Sequence, residues 1–392
     1  MIEKINTPYF LINEESLEMN ISEFLNAINK YFKQPVTGYS FKTNSLPWII
    51  NKMNQHDFYA EVVSFDEYKL ALKLNYKKSK IIYNGPMKDK ETYLDAITNG
   101  SIVNIETKRE LRWLKGLDKT KKYKVGLRVN FDIESLCPNE SVCLEEGGRF
   151  GFSLECGELE DAIKVISNLK NIELSGLHLH TSSKTRSLKI YETLAKVAVK
   201  IIHQYNLELD YIDIGGGFYG GLPGKPTFEE YFAIIYNQLK KISYFSKLTL
   251  IVEPGASIIA SPISFITSVI DVKKTNKNYF VTTDGSRNDI DPLMTKKSYF
   301  YNIVSKRKNE IVPKQVISGF TCIENDRFFI LEKEPLLTEG DIIEYKNVGS
   351  YTMCLSPLFI KYFPDVYVMN NDGVYKVREK WTTKEYLLGT LK

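Results

Sequence analysis

Between residues 36 and 255, short apolar or β-branched runs alternate with stretches whose apolar residues recur every three or four positions. The runs are VTGYSFKT (36–43), FYAEVVS (58–64), SKIIYNGP (79–86), SIVNIET (101–107), YKVGLRVN (123–130), IELSGLHLH (172–180), LDYIDIGGG (209–217) and KLTLIVEPG (247–255). Runs this short, separated by helical segments such as SFDEYKLALKLN and YETLAKVAVKIIHQY, read as strand–helix units. Eight such units over about 220 residues predict an α/β fold of the closed (β/α)8 (TIM) barrel type rather than an open doubly wound sheet.

After Gly255 the rhythm changes. SFITSVIDVKK, KNYFVTT, KQVISGF, RFFILEKE and GDIIEYKNVG alternate with turn residues and lose the helical period, which predicts a C-terminal β-rich domain. The N-terminal TPYFLINEES reads as a short strand available to pair with it. The expected organisation is therefore an N-terminal strand over 1–22, a barrel over 23–262 and a β domain over 263–392.

Composition narrows the class. With 43% hydrophobic residues in a 392-residue chain, there is material for a sizeable core and two domains. The net charge of +4 arises from 52 basic and 48 acidic residues, so the chain carries no overall electrostatic signature of nucleic-acid binding. No apolar run approaches the ~18 residues of a membrane span. The five cysteines, Cys137, Cys143, Cys156, Cys322 and Cys354, form no C-x-x-C pair. With no N-terminal signal pattern, a reducing cytoplasmic location is expected. No metal is called for.

In a barrel of this kind chemistry collects where the strands end. Taken in order, these ends offer Lys42, Ser64, Asn84, Glu106, Arg128, His180, the glycines 215–217, and Glu253 with Gly255. Consecutive glycines after strand seven allow close approach and let backbone N–H groups face an anion. An anion seat, a lysine amine and a carboxylate in one barrel mouth match the needs of pyridoxal 5'-phosphate: an amine for its aldehyde, a cradle for its phosphate, and a carboxylate beside its ring nitrogen.

The set YSFKTN, GLHLHTSS, DIGGG, EPG, GFTCIEND and VGSYT, in this order over nearly the whole chain, resembles the fold-type III pyridoxal-phosphate decarboxylases, which include the diaminopimelate, ornithine and carboxynorspermidine decarboxylases and share the alanine-racemase-like barrel. The resemblance implies that Lys42 forms the Schiff base with the cofactor, that His180 stacks on its ring and that Glu253 pairs with its ring nitrogen. It implies phosphate contacts from Ser183, Gly216, Gly217, Gly255 and Tyr351, a supporting role for Arg128, and Cys322 as the proton donor, supplied by the second subunit of a homodimer.

Departures from the family pattern bear on the substrate. Ala256 follows E-P-G where the family usually has arginine, and Lys184 or Arg186 is the candidate replacement for the missing charge. Ile323 follows the cysteine where the family has aspartate or glutamate, with Glu324 one position later. Asp291 precedes Pro292 where diaminopimelate-type enzymes have arginine. An isoleucine cannot pair with a distal ammonium, and burying that cation unpaired costs several kcal/mol. The expected activity is α-decarboxylation of a less standard or conjugated amino acid, in a siderophore, polyamine or other specialised pathway. The alternatives are an amino-acid racemase and a catalytically silent homologue with a regulatory role.

Overall fold

The computed structural model describes residues 5–305 and 309–391. They form two compact units, Ser22–Ser257 and Met1–Ile21 with Ile258–Lys392.

In the first unit eight parallel strands close on themselves. They are Val36–Ser40, Tyr59–Ser64, Ile81–Met87, Ile102–Ile105, Tyr123–Asn130, Ile172–His178, Tyr211–Asp213 and Thr249–Val252. Strand eight pairs with strand one through Ile251 opposite Val36, and strand four with strand five through Asn104 opposite Gly126, so no edge remains open. Seven of the eight apolar runs contain one of these strands whole, and strand three runs one residue past its run, to Met87. Strand seven is only three residues long, and the glycines that follow it are irregular backbone. Several strand ends start the next helix themselves. Ser64 Oγ accepts from the Glu67 N–H and Thr107 Oγ1 from the Glu110 N–H, supplying acceptors to otherwise orphaned first-turn donors.

Because side chains alternate across a strand, positions two apart share a face. Ile82, Tyr211 and Ile251 pack together with Val36, Tyr59 and Ile102 in an apolar layer inside the barrel. Tyr211 takes the space of more than one side chain: a Cβ at Gly126 would lie 2.1 Å from its hydroxyl, and one at Gly176 2.2 Å from its ring. Glycine is thus required at both positions.

In the second unit the strand Tyr9–Asn13 lies between Ile263–Lys274, antiparallel, and Asp365–Asn370, parallel. Tyr9, Leu11 and Ile266 are buried at this join. Further strands, Tyr279–Thr283, Phe300–Val304, Ile311–Ser318, Arg327–Pro335, Ile342–Lys346 and Gly373–Arg378, complete its nine-stranded sheet.

Candidate active site

Two residues beyond the apolar layer, toward the carboxyl ends of the strands, the same faces turn polar. Tyr59 is followed by Glu61, Ile82 by Asn84, Ile102 by Asn104, Tyr211 by Asp213 and Ile251 by Glu253. All five polar residues are buried. An amide chain links them. Tyr211 Oη donates to Asn104 Oδ1 (2.7 Å), Asn104 Nδ2 donates to Asn84 Oδ1 (2.8 Å), and Asn84 Nδ2 donates to Glu61 Oε1 (3.0 Å) and Glu253 Oε1 (2.5 Å). The tyrosine hydroxyl at one end thereby fixes which face of each amide points at the carboxylates.

Lys42 sits on a short 3-10 turn, Phe41–Thr43, directly after strand one. Its Nζ is 3.1 Å from Glu61 Oε2, which also accepts from Ser40 Oγ at 2.6 Å. Burial pushes the Glu61 carboxyl up, but the Lys42 ammonium and the hydrogen bonds from Ser40 and Asn84 outweigh it and hold the group below its ordinary range. Glu253 goes the other way. Burial, then the charge of Asp213, raises it well above the usual carboxylate range, while burial raises Asp213 to about 6.

His178 Nε2 is 3.7 Å from Glu253 Oε2, and its ring lies roughly parallel to that of His180, with centroids 6.2 Å apart. Burial, then the positive charge of Arg128, lowers both imidazoles, His180 to about 3, which favours the neutral form of each. Neither nitrogen of His178 has a hydrogen-bond partner, nor has His180 Nδ1. Arg128 Nη1 pairs with Glu106 Oε1 at 2.6 Å, and its guanidinium lies over the Phe150 ring.

The glycine run is packed from several sides. A Cβ on Gly215 would meet His180 Nδ1 at 2.4 Å, one on Gly216 the Glu253 carbonyl oxygen at 2.1 Å, and one on Gly255 Thr43 Oγ1 at 2.1 Å. Gly217 has φ +91. The N–H groups of Gly216 and Gly217 have no hydrogen-bond acceptor among the described residues. Ser183 Oγ accepts from the N–H groups of Thr185 and Arg186 and shapes the turn that follows the histidines. Lys184 is exposed, its N–H bound to the Glu140 carbonyl. The Arg186 guanidinium lies 5.3 Å from the centroid of the Tyr219 ring, just past the glycines.

Lys42, Glu61, Asn84, Arg128, His178, His180 and Glu253 line one cavity of about 700 Å3. Glu146, Arg149 and Cys143, from the segment after strand five, line it too. The pattern of chemistry at strand ends did not single out Glu61, Asn104, Asp213 or Glu146. For the first three the available signal was the two-residue step beyond each apolar layer position.

The remaining expected residues belong to the second unit. Cys322, Ile323 and Glu324 lie on a loop held by Asp326, whose carboxylate accepts from Ser286 Oγ (3.0 Å), Thr321 Oγ1 (2.5 Å) and the Arg287 N–H (2.8 Å). Cys322 is exposed. Glu324 is also exposed and pairs with Arg327 at 2.9 Å. Asp291 is buried, its carboxylate taken up by Arg287 Nη2 (2.5 Å), Tyr299 Oη (2.8 Å) and two backbone N–H groups. Tyr351 is half-exposed, with φ +56.

The cavity fits pyridoxal phosphate on its own features, a lysine amine, a buried carboxyl and imidazole nitrogens without partners, and the glycine turn packed against His180 adds two free N–H groups beside it. The profile of the pyridoxal-dependent decarboxylases, pyridoxal binding domain, matches residues 18–260. The chain belongs to this family. A pyridoxal-dependent decarboxylase is an amino-acid carboxy-lyase that uses pyridoxal phosphate, and the chain is one. Its relatives include the diaminopimelate decarboxylases of Methanocaldococcus jannaschii, 26% identical over 97% of this chain and 90% of that one, and of Campylobacter jejuni, 27% identical over 90% and 88%. Among solved structures, the M. jannaschii enzyme superposes with a TM-score of 0.87 at 23% identity, covering 100% of this decarboxylase and 93% of that chain. The Paramecium bursaria Chlorella virus arginine decarboxylase gives 0.79 at 20%, covering 94% and 97%. These agree with the barrel and β domain expected from the sequence. Among the described residues no helix is long and apolar enough to cross a membrane.

Proposed function

We propose that this decarboxylase removes the α-carboxylate of an amino acid in the cavity around Lys42, with Lys42, Glu253 and His180 from the barrel and Cys322 from a second subunit. The observation that carries it is the placement of Lys42 and Glu253 in one cavity, joined through Glu61 and Asn84. Bound there, pyridoxal phosphate supplies the electron sink for the pair left when CO2 departs. Lys42 is the amine that would hold its aldehyde. Gly216, Gly217, Gly255, Ser183 and Tyr351 would hold the phosphate, with Arg186 the cation at the turn beside the glycines. Glu253 would keep the ring nitrogen protonated, and neutral His180 would cover the ring. The Cys322 thiol would return a proton to the α-carbon. Exposure of Cys322 on its own chain is consistent with service to a neighbouring subunit, which requires a homodimer with shared sites.

For the substrate, the relatives are diaminopimelate decarboxylases, and solved M. jannaschii and Helicobacter pylori enzymes are complexed with L-lysine. Two features of this chain support a different side chain. Ile323 offers no charge, and Asp291 is occupied internally by Arg287 and Tyr299. We therefore favour an amino acid or conjugate outside routine lysine synthesis. The test is CO2 release by purified, cofactor-loaded protein from meso-diaminopimelate, ornithine, lysine, arginine and a metabolite extract. Release from the extract but not from meso-diaminopimelate is expected, and brisk turnover of meso-diaminopimelate would make this a diaminopimelate decarboxylase. Release that survives Lys42→Ala would remove the lysine from the mechanism.

A further inference from the structure

Three cations around the barrel mouth each face a particular carboxylate. Lys42 faces Glu61 (3.1 Å), Arg128 faces Glu106 (2.6 Å) and the fully buried Lys88 faces Glu110 (3.0 Å). Two buried carboxyls, Asp213 and Glu253, have no lysine or arginine ion-pair partner among the described residues, and a carboxylate oxygen of each lies within 4.8 Å of the other. His178 completes the group, with ligand-capable atoms of all three within 4.8 Å of one another.

The surrounding donors do not suffice for two negative charges. The Asn84 amide serves Glu253 Oε1, the Gly215 N–H serves Asp213 Oδ1 at 2.8 Å, and Asn104 Nδ2 reaches Asp213 Oδ2 only at 3.4 Å. The amide chain from Tyr211 fixes these orientations, so no amide can turn to give more. Glu253 Oε2 faces His178 Nε2 across 3.7 Å. The nearby cations, Lys42 and Arg128, are paired with Glu61 and Glu106, and two adjacent buried carboxylates with no cation in direct contact do not both remain ionised.

We propose that Asp213 and Glu253 share a single proton, and that Asp213 is the positioning residue that sets how firmly Glu253 holds a proton at the ring-nitrogen seat. The functional half of this rests on Glu253 being the ring-nitrogen partner proposed above. With Asp213 ionised behind it, Glu253 meets the ring nitrogen as part of a pair of net charge −1, and the whole seat has a greater affinity for a proton than a lone carboxylate. Asp213 touches neither substrate nor cofactor in this role; it acts through Glu253.

The test uses cofactor-free protein and infrared difference spectroscopy at neutral pH, reading the carbonyl stretch of a protonated carboxyl, which is well separated from that of a carboxylate. Wild type should show one such band that is missing from both Glu253→Gln and Asp213→Asn, because removing either member leaves one carboxylate that can ionise alone. Asparagine keeps the acceptor for the Gly215 N–H, and Asp213→Ala gives the same readout if the asparagine variant does not fold. A band that persists without the Asp213 carboxyl would overturn the proposal, since burial alone would then protonate Glu253. So would a wild-type spectrum with nothing lost in Glu253→Gln. In loaded enzyme, Asp213→Asn should lower kcat by about tenfold or more with KM little changed; a change confined to KM would count against it. The infrared result does not depend on which amino acid, if any, is decarboxylated, so it can fail separately from the proposed activity.

Discussion

Lys42 Nζ stands 3.1 Å from Glu61 Oε2, the lysine from the turn after strand one and the carboxylate from the middle of strand two. This pair gives the buried carboxylate its counter-charge. Glu61→Gln should therefore cost the cofactor-free protein about 1–3 kcal/mol near neutral pH. The sign of the pH dependence follows from the direction of the shift. The folded-state carboxyl lies below its unfolded value of 4.5, so its contribution is present above that value and is lost as pH falls through the folded one. The gap between wild type and variant should close on acidification, as read by urea unfolding at a series of pH values.

The histidines respond to acid over a different range. Both His178 and His180 are held below the ordinary value of 6.5, His180 at about 3. Between those limits the unfolded chain binds protons that the folded chain refuses, and stability drops as pH falls from 6.5, by about 1.4 kcal/mol per unit for each imidazole. Cofactor-free His178→Asn should show a shallower slope in that window, and an unchanged slope would mean that His178 is charged in the folded protein.

Gly216 and Gly217 should fail for different reasons. A Cβ at Gly216 would sit 2.1 Å from the Glu253 carbonyl oxygen, a backbone atom that cannot swing aside. Gly216→Ala should destabilise the barrel by about 1–3 kcal/mol or more and displace Glu253. At Gly217 the nearest atom is the Tyr191 hydroxyl at 3.1 Å, and the obstacle is the positive φ. Gly217→Ala should fold more nearly as wild type. Melting temperatures and retention of pyridoxal phosphate through gel filtration would separate the two.

Shared active sites make a mixing prediction. Lys42→Ala and Cys322→Ala homodimers should each be nearly inactive, and subunit exchange between them should restore about a quarter of wild-type CO2 release, because half the dimers then hold one intact site. No recovery after verified exchange would place Lys42 and Cys322 of one chain in the same site.

Much of the barrel was legible because each apolar run is short, β-branched and followed by a helical period, and, Met87 apart, the strands fall within those runs. Lys42, His180 and Glu253 were legible because they stand at strand ends in recognisable local motifs. Glu61, Asn104 and Asp213 were not. Each is a polar residue flanked on both sides by apolar ones, and its partners come from other strands, which no local pattern displays. The glycine run was read as space for an anion; in the fold Gly215 and Gly216 also yield to His180 and to the Glu253 backbone, a closeness that depends on neighbouring strands. The strand Gly373–Arg378 fell beyond the last β-like run picked out, since its mixed polar sequence shows little alternation.

Tyr211 occupies, inside the barrel, volume that side chains at Gly126 and Gly176 would otherwise claim, and its hydroxyl begins the amide chain that ends at the two glutamates. These three positions therefore form one steric unit. A lineage that acquires a side chain at 126 or 176 must first shrink the residue at 211, and in doing so it releases Asn104 and Asn84 from their fixed orientation. Substitution in the barrel floor is thus coupled to the orientation of the polar layer above it.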